Sequence, residues 1–143
     1  MENLKIRPIQ NKKELKEAFK IRKKVFQKEQ NVSKDIDFDG LDKGADHIIA
    51  FYKGKPVGCC RIRFINKKAK WERFAVLKKY RGKGIGKNVT KFVIRYCKEK
   101  NVKKLYFHAQ YYLKDFYKKQ GFKTKGKPFM EANIKHIEMY MEF

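Results

Sequence analysis

Six short stretches of the chain alternate apolar with polar residues or are rich in β-branched and aromatic residues, and both patterns predict β-strands. The sequence Lys53-Gly54-Lys55-Pro56 is a turn signal between the second and third stretches, so these two are expected to form a hairpin. In the fourth stretch, alternation places Trp71 and Ala75 on one face, and Phe74 and Val76 on the other. The predicted strands cover residues 4–9, 47–52, 57–65, 69–77, 104–109 and 135–142.

Three other stretches repeat apolar residues every three or four positions, which predicts helices. The first helix is expected to begin after Asn11, a capping residue, and its apolar stripe extends over residues 15–26. The second and third helices are expected over residues 88–100 and 111–119. Residues 33–46 are polar and rich in turn formers, so they predict loops or a short helix.

The predicted order of elements is β-α-β-β-β-α-β-α-β, and a chain of 143 residues is the size of one domain. We therefore expect a single mixed α/β domain over residues 1–143. No apolar run is long enough to span a membrane, and no apolar leader follows Met1, so a membrane protein is not expected. Three cysteines, two of them adjacent, match neither a disulfide framework nor a zinc site, which favours the cytoplasm and cysteines that pack as small apolar residues.

The charge of the chain suggests an anionic partner. There are 38 Lys and Arg residues against 15 Asp and Glu residues, so the formal net charge is +23. Lysine outnumbers arginine 31 to 7, whereas readers of base edges rely on arginine forks. The lysines are also spread along the chain, and the aromatic residues follow core periodicity. A nucleic-acid-binding module is therefore an alternative that the sequence does not favour.

A glycine-rich turn, Arg81-Gly82-Lys83-Gly84-Ile85-Gly86, lies between the fourth predicted strand and the second predicted helix. Such a turn presents backbone N–H groups and the positive end of the helix dipole to an anion. The glycine spacing is too short for a P-loop, and Lys87 stands where a dinucleotide fingerprint has its last glycine. The turn therefore predicts a phosphate site of another kind.

The same turn resembles the [QR]-x-x-G-x-[GA] signature of the GNAT superfamily of N-acetyltransferases, with Arg81, Gly84 and Gly86 at the matching positions. Residues 116–122 resemble the family's downstream FY-x-x-x-GF motif, and residues 21–30 resemble the first helix of its small bacterial ElaA-like branch. The resemblance implies a central, mixed, mainly antiparallel sheet of about six to seven strands, flanked by about four helices. It also implies that the fourth and fifth strands splay apart.

The resemblance further implies an enzyme that moves the acetyl group of acetyl-CoA to a primary amine of a small molecule or peptide. Transfer would be direct, in a ternary complex, without a metal. A non-catalytic CoA-binding regulatory protein stays an alternative, and a homodimer stays open. The cofactor-binding residues that the resemblance implies are Phe74, Ala75, Val76, Arg81, Gly82, Lys83, Gly84, Ile85, Gly86, Lys87, Gln110 and Tyr117.

Acetyl transfer to an amine needs a base for the ammonium proton and an acid for the departing thiolate. The resemblance implies Tyr117 as the acid. Glu72, His136 and a chain of water molecules all stay open as the base, while His108 is expected to pack against its neighbours. The residues implied for acceptor binding are Arg22, Phe26, Glu131 and His136.

Five of the fifteen acids fall between Asp35 and Asp46, in the region that borders the acceptor pocket in the family. Two interpretations are open. The carboxylates either attract a cationic amine, or they are solvated and cap loops on an otherwise basic surface. The second interpretation is the favoured one.

Overall fold

Seven strands form one sheet in the computed structural model, which describes residues 1–143. The strands are β1 (Leu4–Pro8), β2 (Asp46–Tyr52), β3 (Lys55–Ile65), β4 (Lys68–Val76), β5 (Lys104–Gln110), β6 (Lys123–Glu131) and β7 (Ile134–Glu142). Their order across the sheet is β1-β2-β3-β4-β5-β7-β6. Only β4 and β5 are parallel, and every other neighbouring pair is antiparallel. The predicted mixed, mainly antiparallel sheet is therefore confirmed.

Four α-helices flank the sheet, and they are α1 (Lys12–Arg22), α2 (Lys34–Asp37), α3 (Ile85–Glu99) and α4 (Lys114–Lys118). The Asn11 side chain accepts a hydrogen bond from the Glu14 N–H, as predicted for the cap of α1. A π-helical segment, Lys23–Glu29, continues α1 without a break. This segment carries the chain on toward the open part of the sheet.

Strand β6 was not predicted from the pattern of residues. It lies at an edge of the sheet and pairs only with β7. Most of its side chains are exposed, it contains Gly126 and Pro128, and its register shifts between Lys125 and Phe129. An edge strand needs neither strict alternation nor every N–H donor, so its sequence carries little strand signal.

A bulge in β4 overturns the predicted alternation of its faces. Arg73 has φ +55°, and the register against β3 shifts at the same place. Trp71 and Phe74 therefore lie on the same face, where their rings stack with centroids 4.9 Å apart. Ala75 packs on the opposite face, in the small core under α1. The prediction that placed Trp71 with Ala75 was wrong because the bulge adds one residue to the strand.

Two hydrophobic cores cover the two faces of the sheet. The larger core unites 19 buried residues, among them Val93 of α3 and Leu105 of β5. The smaller core joins Ala18 and Ile21 of α1 to Cys59 of β3. All three cysteines are free and buried, which confirms that they pack as small apolar residues. None of the helices has the length and apolar character needed to cross a membrane.

Candidate active site

A cleft of about 940 Å³ opens where β4 and β5 separate. The parallel pairing of the two strands ends at Trp71 and Phe107, so the remainder of each strand has no partner on the side facing the other. The π-helical segment, α2, α4 and the turn between β6 and β7 supply the other walls. The volume lies within the range of pockets that hold cofactors and small molecules.

The glycine-rich turn forms one end of the cleft. Gly82 and Gly84 have φ of +77° and +87°, a conformation that favours glycine. The first backbone hydrogen bond of α3 runs from the Asn88 N–H to the Gly84 carbonyl, at 3.1 Å. No backbone N–H from Gly82 to Lys87 donates to a carbonyl oxygen. These N–H groups and the positive end of the α3 dipole form a site suited to an anion.

The side chains of the turn point in different directions. Lys87 and Arg81 line the cleft, but Arg81 forms two hydrogen bonds to Glu29, at 2.5 and 2.8 Å, and a third to the Val76 carbonyl. The Lys83 side chain lines a separate, smaller depression. The Ile85 side chain is buried in the larger core. Of these four residues, therefore, only Lys87 borders the cleft with a charge that no acid pairs.

The end of β4 forms one long wall of the cleft. Phe74, Ala75 and Val76 all line it, and the strand edge they form toward β5 is unpaired. Across the gap, the Gln110 side chain donates a hydrogen bond to the Gln30 side chain at 2.9 Å. Apart from the Val76 carbonyl, which accepts a hydrogen bond from Arg81, the predicted cofactor strand thus presents free backbone groups to the cleft.

Tyr117 of α4 lines the middle of the cleft and is 5% exposed. Its ring packs edge-on against Phe107, with centroids 4.7 Å apart, and against Trp71. Burial raises the pKa of Tyr117, so the phenol stays protonated at neutral pH. Its hydroxyl has no hydrogen-bond partner within the protein, which leaves it free to donate to a bound group.

Glu72 lies in the cleft but is surrounded by cations. Its carboxylate is 2.5 Å from Arg63, 3.0 Å from Arg61 and 3.4 Å from Lys70. Burial alone would raise the pKa of Glu72, but the hydrogen bond from Arg63 and the charge of Arg61 outweigh burial and lower it. A carboxylate held in this way accepts a proton poorly.

His136 of β7 presents a better proton acceptor. The ring is 7% exposed, and its Nδ1 lies 2.7 Å from the Ile134 carbonyl. A carbonyl only accepts, so Nδ1 carries the hydrogen, and in the neutral ring Nε2 keeps its lone pair. Nε2 is 3.9 Å from the Glu131 carboxylate, and both residues line the cleft. The structure thus brings these two predicted residues together.

His108 packs edge-on against Phe129, with ring centroids 5.0 Å apart, and it also lines the cleft. Its Nδ1 is 2.9 Å from Glu131, and this hydrogen bond holds the pKa of Glu131 below its usual range. A signal was present in the sequence, because alternation along β5 puts His108 on the same face as Gln110.

Arg22 does not reach the cleft, so its predicted contact with the acceptor is not supported, whereas the predicted Phe26 does line the cleft. The Arg22 side chain is 2% exposed and pairs with Asp37 at 3.0 Å and Asp42 at 2.6 Å. Arg61 likewise pairs with Asp42 and with Asp39. For Asp37, Asp39 and Asp42 the favoured interpretation as a solvated cluster is wrong, because arginines distant in sequence pair with them, although Asp39 also caps a loop as expected.

Known proteins resemble this chain in sequence and in structure. A model of an acetyltransferase (GNAT) domain matches residues 10–143. The chain is 35% identical over 130 residues to the uncharacterized N-acetyltransferase YjcF of Bacillus subtilis, covering 90% of this chain and 93% of that protein. Escherichia coli ElaA has a similar structure, with a TM-score of 0.85 at 25% identity, covering 97% of this chain and 99% of ElaA. A GNAT family acetyltransferase from Elizabethkingia anophelis, solved with acetyl-CoA bound, has a TM-score of 0.80 at 20% identity, covering 100% of both chains.

Proposed function

Because the chain belongs to the GNAT family of acetyltransferases, we propose that it transfers the acetyl group of acetyl-CoA directly to a primary amine in a ternary complex. The proposal rests on one observation above all. The unpaired N–H groups from Gly82 to Lys87 lie at one end of a cleft that also contains the unpartnered hydroxyl of Tyr117 and the free Nε2 of His136. The three free, buried cysteines fit a reducing, cytoplasmic compartment.

The residues of the cleft fit acetyl-CoA. The N–H groups of the turn, with Lys87, would hold the pyrophosphate. The unpaired edge of β4 from Phe74 to Val76 would bind the amide groups of the pantetheine arm as a strand binds a peptide. Phe116 supplies an apolar wall beside it. The Arg81 side chain would help indirectly, by fixing the end of β4 through the Val76 carbonyl.

Tyr117 is proposed as the general acid. Bound acetyl-CoA supplies a thioester, whose carbonyl carbon the amine attacks while the carbon–sulfur bond breaks. The Tyr117 hydroxyl would donate its proton to the departing sulfur, and the proton that the attacking nitrogen loses as it becomes an amide would return to the tyrosinate, so that CoA leaves as the thiol. Burial raises the pKa of Cys59 to about 12, and no cysteine lines the cleft, which supports direct transfer over an acetyl-cysteine.

His136 is proposed as the base that removes the ammonium proton. Its hydrogen bond to Ile134 leaves Nε2 directed for this role, and Glu131 lies within 3.9 Å to attract the cation. Glu72 is the weaker candidate because its carboxylate already receives three cations. A chain of water molecules stays an alternative route for the proton.

The test measures thiol release from acetyl-CoA with a panel of primary amines, together with calorimetric titration of acetyl-CoA. Tyr117→Phe should reduce turnover roughly 100-fold or more, since a positioned acid contributes that much, and should leave acetyl-CoA affinity nearly unchanged. Tyr140→Phe is the matched control, because Tyr140 does not line the cleft. Binding of acetyl-CoA without turnover on any amine would support a non-catalytic CoA-binding protein instead. Absence of binding would refute both functions.

A further inference from the structure

The wall of the cleft opposite β7 carries apolar side chains that are open to solvent. Ile36 lies in α2 and is 47% exposed. Leu41 lies four residues after the end of α2 and is 42% exposed, and both residues line the cleft. Exposed large apolar residues beside a cleft mark a binding surface more often than isolated ones elsewhere. From this wall and from the charges around it, we propose that the acceptor is a primary monoamine with an apolar alkyl or aryl body. The inference rests on the proposed acetyl transfer.

Hydrogen bonds from two arginine side chains hold the backbone of this apolar wall in place. Arg73 donates to the Ile36 carbonyl at 2.8 Å and to the Asp37 carbonyl at 3.1 Å, and Arg22 donates to the same Asp37 carbonyl. The Leu41 N–H donates to the Asp39 carboxylate at 3.0 Å. These hydrogen bonds fix the backbone that carries Ile36 and Leu41, and both residues line the cleft. A preformed apolar surface costs the acceptor little ordering of the protein.

Only one of the acids that line the cleft lacks an arginine or lysine partner. Asp37, Asp39 and Glu72 each receive an arginine, so their charges are already neutralised. Glu131 has no lysine or arginine partner; His108 contacts one of its oxygens at 2.9 Å, and its side chain is 45% exposed. One ammonium group can therefore pair with Glu131 beside His136. A second ammonium on the same molecule would meet no free carboxylate, and a desolvated, unpaired charge is costly.

The arginine and lysine side chains on the side of the cleft near Glu72 and Asp39 also have ion-pair partners. Arg63 and Lys70 both pair with Glu72, at 2.5 and 3.4 Å, and Arg73 pairs with Asp39 at 3.0 Å. Lys87, whose charge is unpaired, belongs to the opposite end of the cleft, beside the glycine-rich turn. Arg61, Arg63 and Lys70 share the single carboxylate of Glu72, so a carboxylate on the acceptor would have to displace Glu72 and would also be repelled by Glu131. Amino acids are disfavoured for this reason, and the apolar body of a monoamine would contact Ile36 and Leu41.

The experiment compares kcat/KM for two matched pairs of amines at fixed saturating acetyl-CoA. Hexylamine and 1,6-diaminohexane differ by one ammonium group, and phenethylamine and phenylalanine differ by one carboxylate. We expect the monoamine of each pair to be the better substrate by roughly ten-fold or more. Equal or higher kcat/KM for the diamine or for the amino acid would overturn the proposal.

Two variants test the apolar wall directly. Ile36→Ser and Leu41→Ser should each lower kcat/KM for hexylamine roughly three- to ten-fold, while the Kd for acetyl-CoA stays unchanged. Phe64→Ser is the control, since Phe64 is 40% exposed but does not line the cleft, and it should have no effect. Unchanged kcat/KM in both wall variants would refute the apolar contact. If no amine is acetylated at all, the failure belongs to the proposed function rather than to the acceptor class.

Discussion

Substitution of Gly84 tests where the pyrophosphate binds. Gly84 has φ +87°, and its backbone belongs to the run of unpaired N–H groups. A Cβ at this position would meet nothing closer than the Asn88 side-chain nitrogen, at 3.9 Å. The substituent therefore has space, and two effects remain. One is the cost of a left-handed backbone, about 1–2 kcal/mol for most residues and less for Asn and Asp. The other is the negative charge that an aspartate would bring close to the pyrophosphate.

Gly84→Asp would place a carboxylate beside the bound pyrophosphate. Two unit charges 4 Å apart repel by about 4 kcal/mol at an effective dielectric constant of 20, and by about 1 kcal/mol in water. For an exposed turn facing a doubly charged group, we expect a loss of about 2–4 kcal/mol in binding. Since about 1.4 kcal/mol is ten-fold in affinity, the Kd for acetyl-CoA should rise roughly 30- to 700-fold.

Gly84→Asn is the matched control, because Asn has the shape of Asp without its charge and tolerates the left-handed region. Calorimetric titration of both variants with acetyl-CoA should show a much larger loss for Asp than for Asn. The difference should shrink as salt rises, since ions screen charges at an exposed turn. Equal Kd values for Asp and Asn would mean that the pyrophosphate does not bind at this turn.

Three further predictions concern other parts of the molecule. Arg22→Leu should lower the free energy of unfolding in urea by about 3–5 kcal/mol, because the buried Asp37 keeps only one arginine partner, Arg73, at the longer distance of 3.8 Å; a loss under 1 kcal/mol would contradict this. Stability should fall as pH drops from 5 toward 2. Arg7 holds the pKa of Glu14 at about 2, and Arg61 lowers the pKa of Asp39. Both carboxylates therefore take up protons at a higher pH in the unfolded chain than in the folded chain, which favours unfolding; a urea midpoint that does not change with pH would refute this. His136→Gln should reduce kcat roughly 100-fold while the Kd for acetyl-CoA stays unchanged; an unchanged kcat would exclude His136 as the base.

Much of the cofactor end of the cleft could be predicted from neighbouring residues. The glycines from Gly82 to Gly86 predicted a turn with positive φ and free N–H groups; Gly82 and Gly84 have positive φ, and the N–H groups are free. The capping role of Asn11 was predicted equally well. These features depend on residues within one turn of each other, so a local pattern contains the information they need.

Side-chain direction was harder to predict, even inside the same motif. Arg81 and Lys83 were expected at the anion site, yet Arg81 pairs with Glu29, which is 52 residues away in sequence, and Lys83 points into another depression. The bulge at Arg73 also changed which residues share a face of β4. A single added residue inverts the alternation, and the pattern contains no sign of it.

The sequence by itself determined three features of this protein: a glycine-rich turn with free N–H groups, a tyrosine in the downstream motif, and a mixed α/β fold that matches its family. The tertiary structure alone decided which acidic side chains have an arginine partner and which do not. It pairs the acids of residues 37–42 with distant arginines and leaves Glu131 beside His136. The physical reason is that ion pairs and buried surfaces form between residues that folding brings together, and the distances between them are absent from any local pattern of the chain.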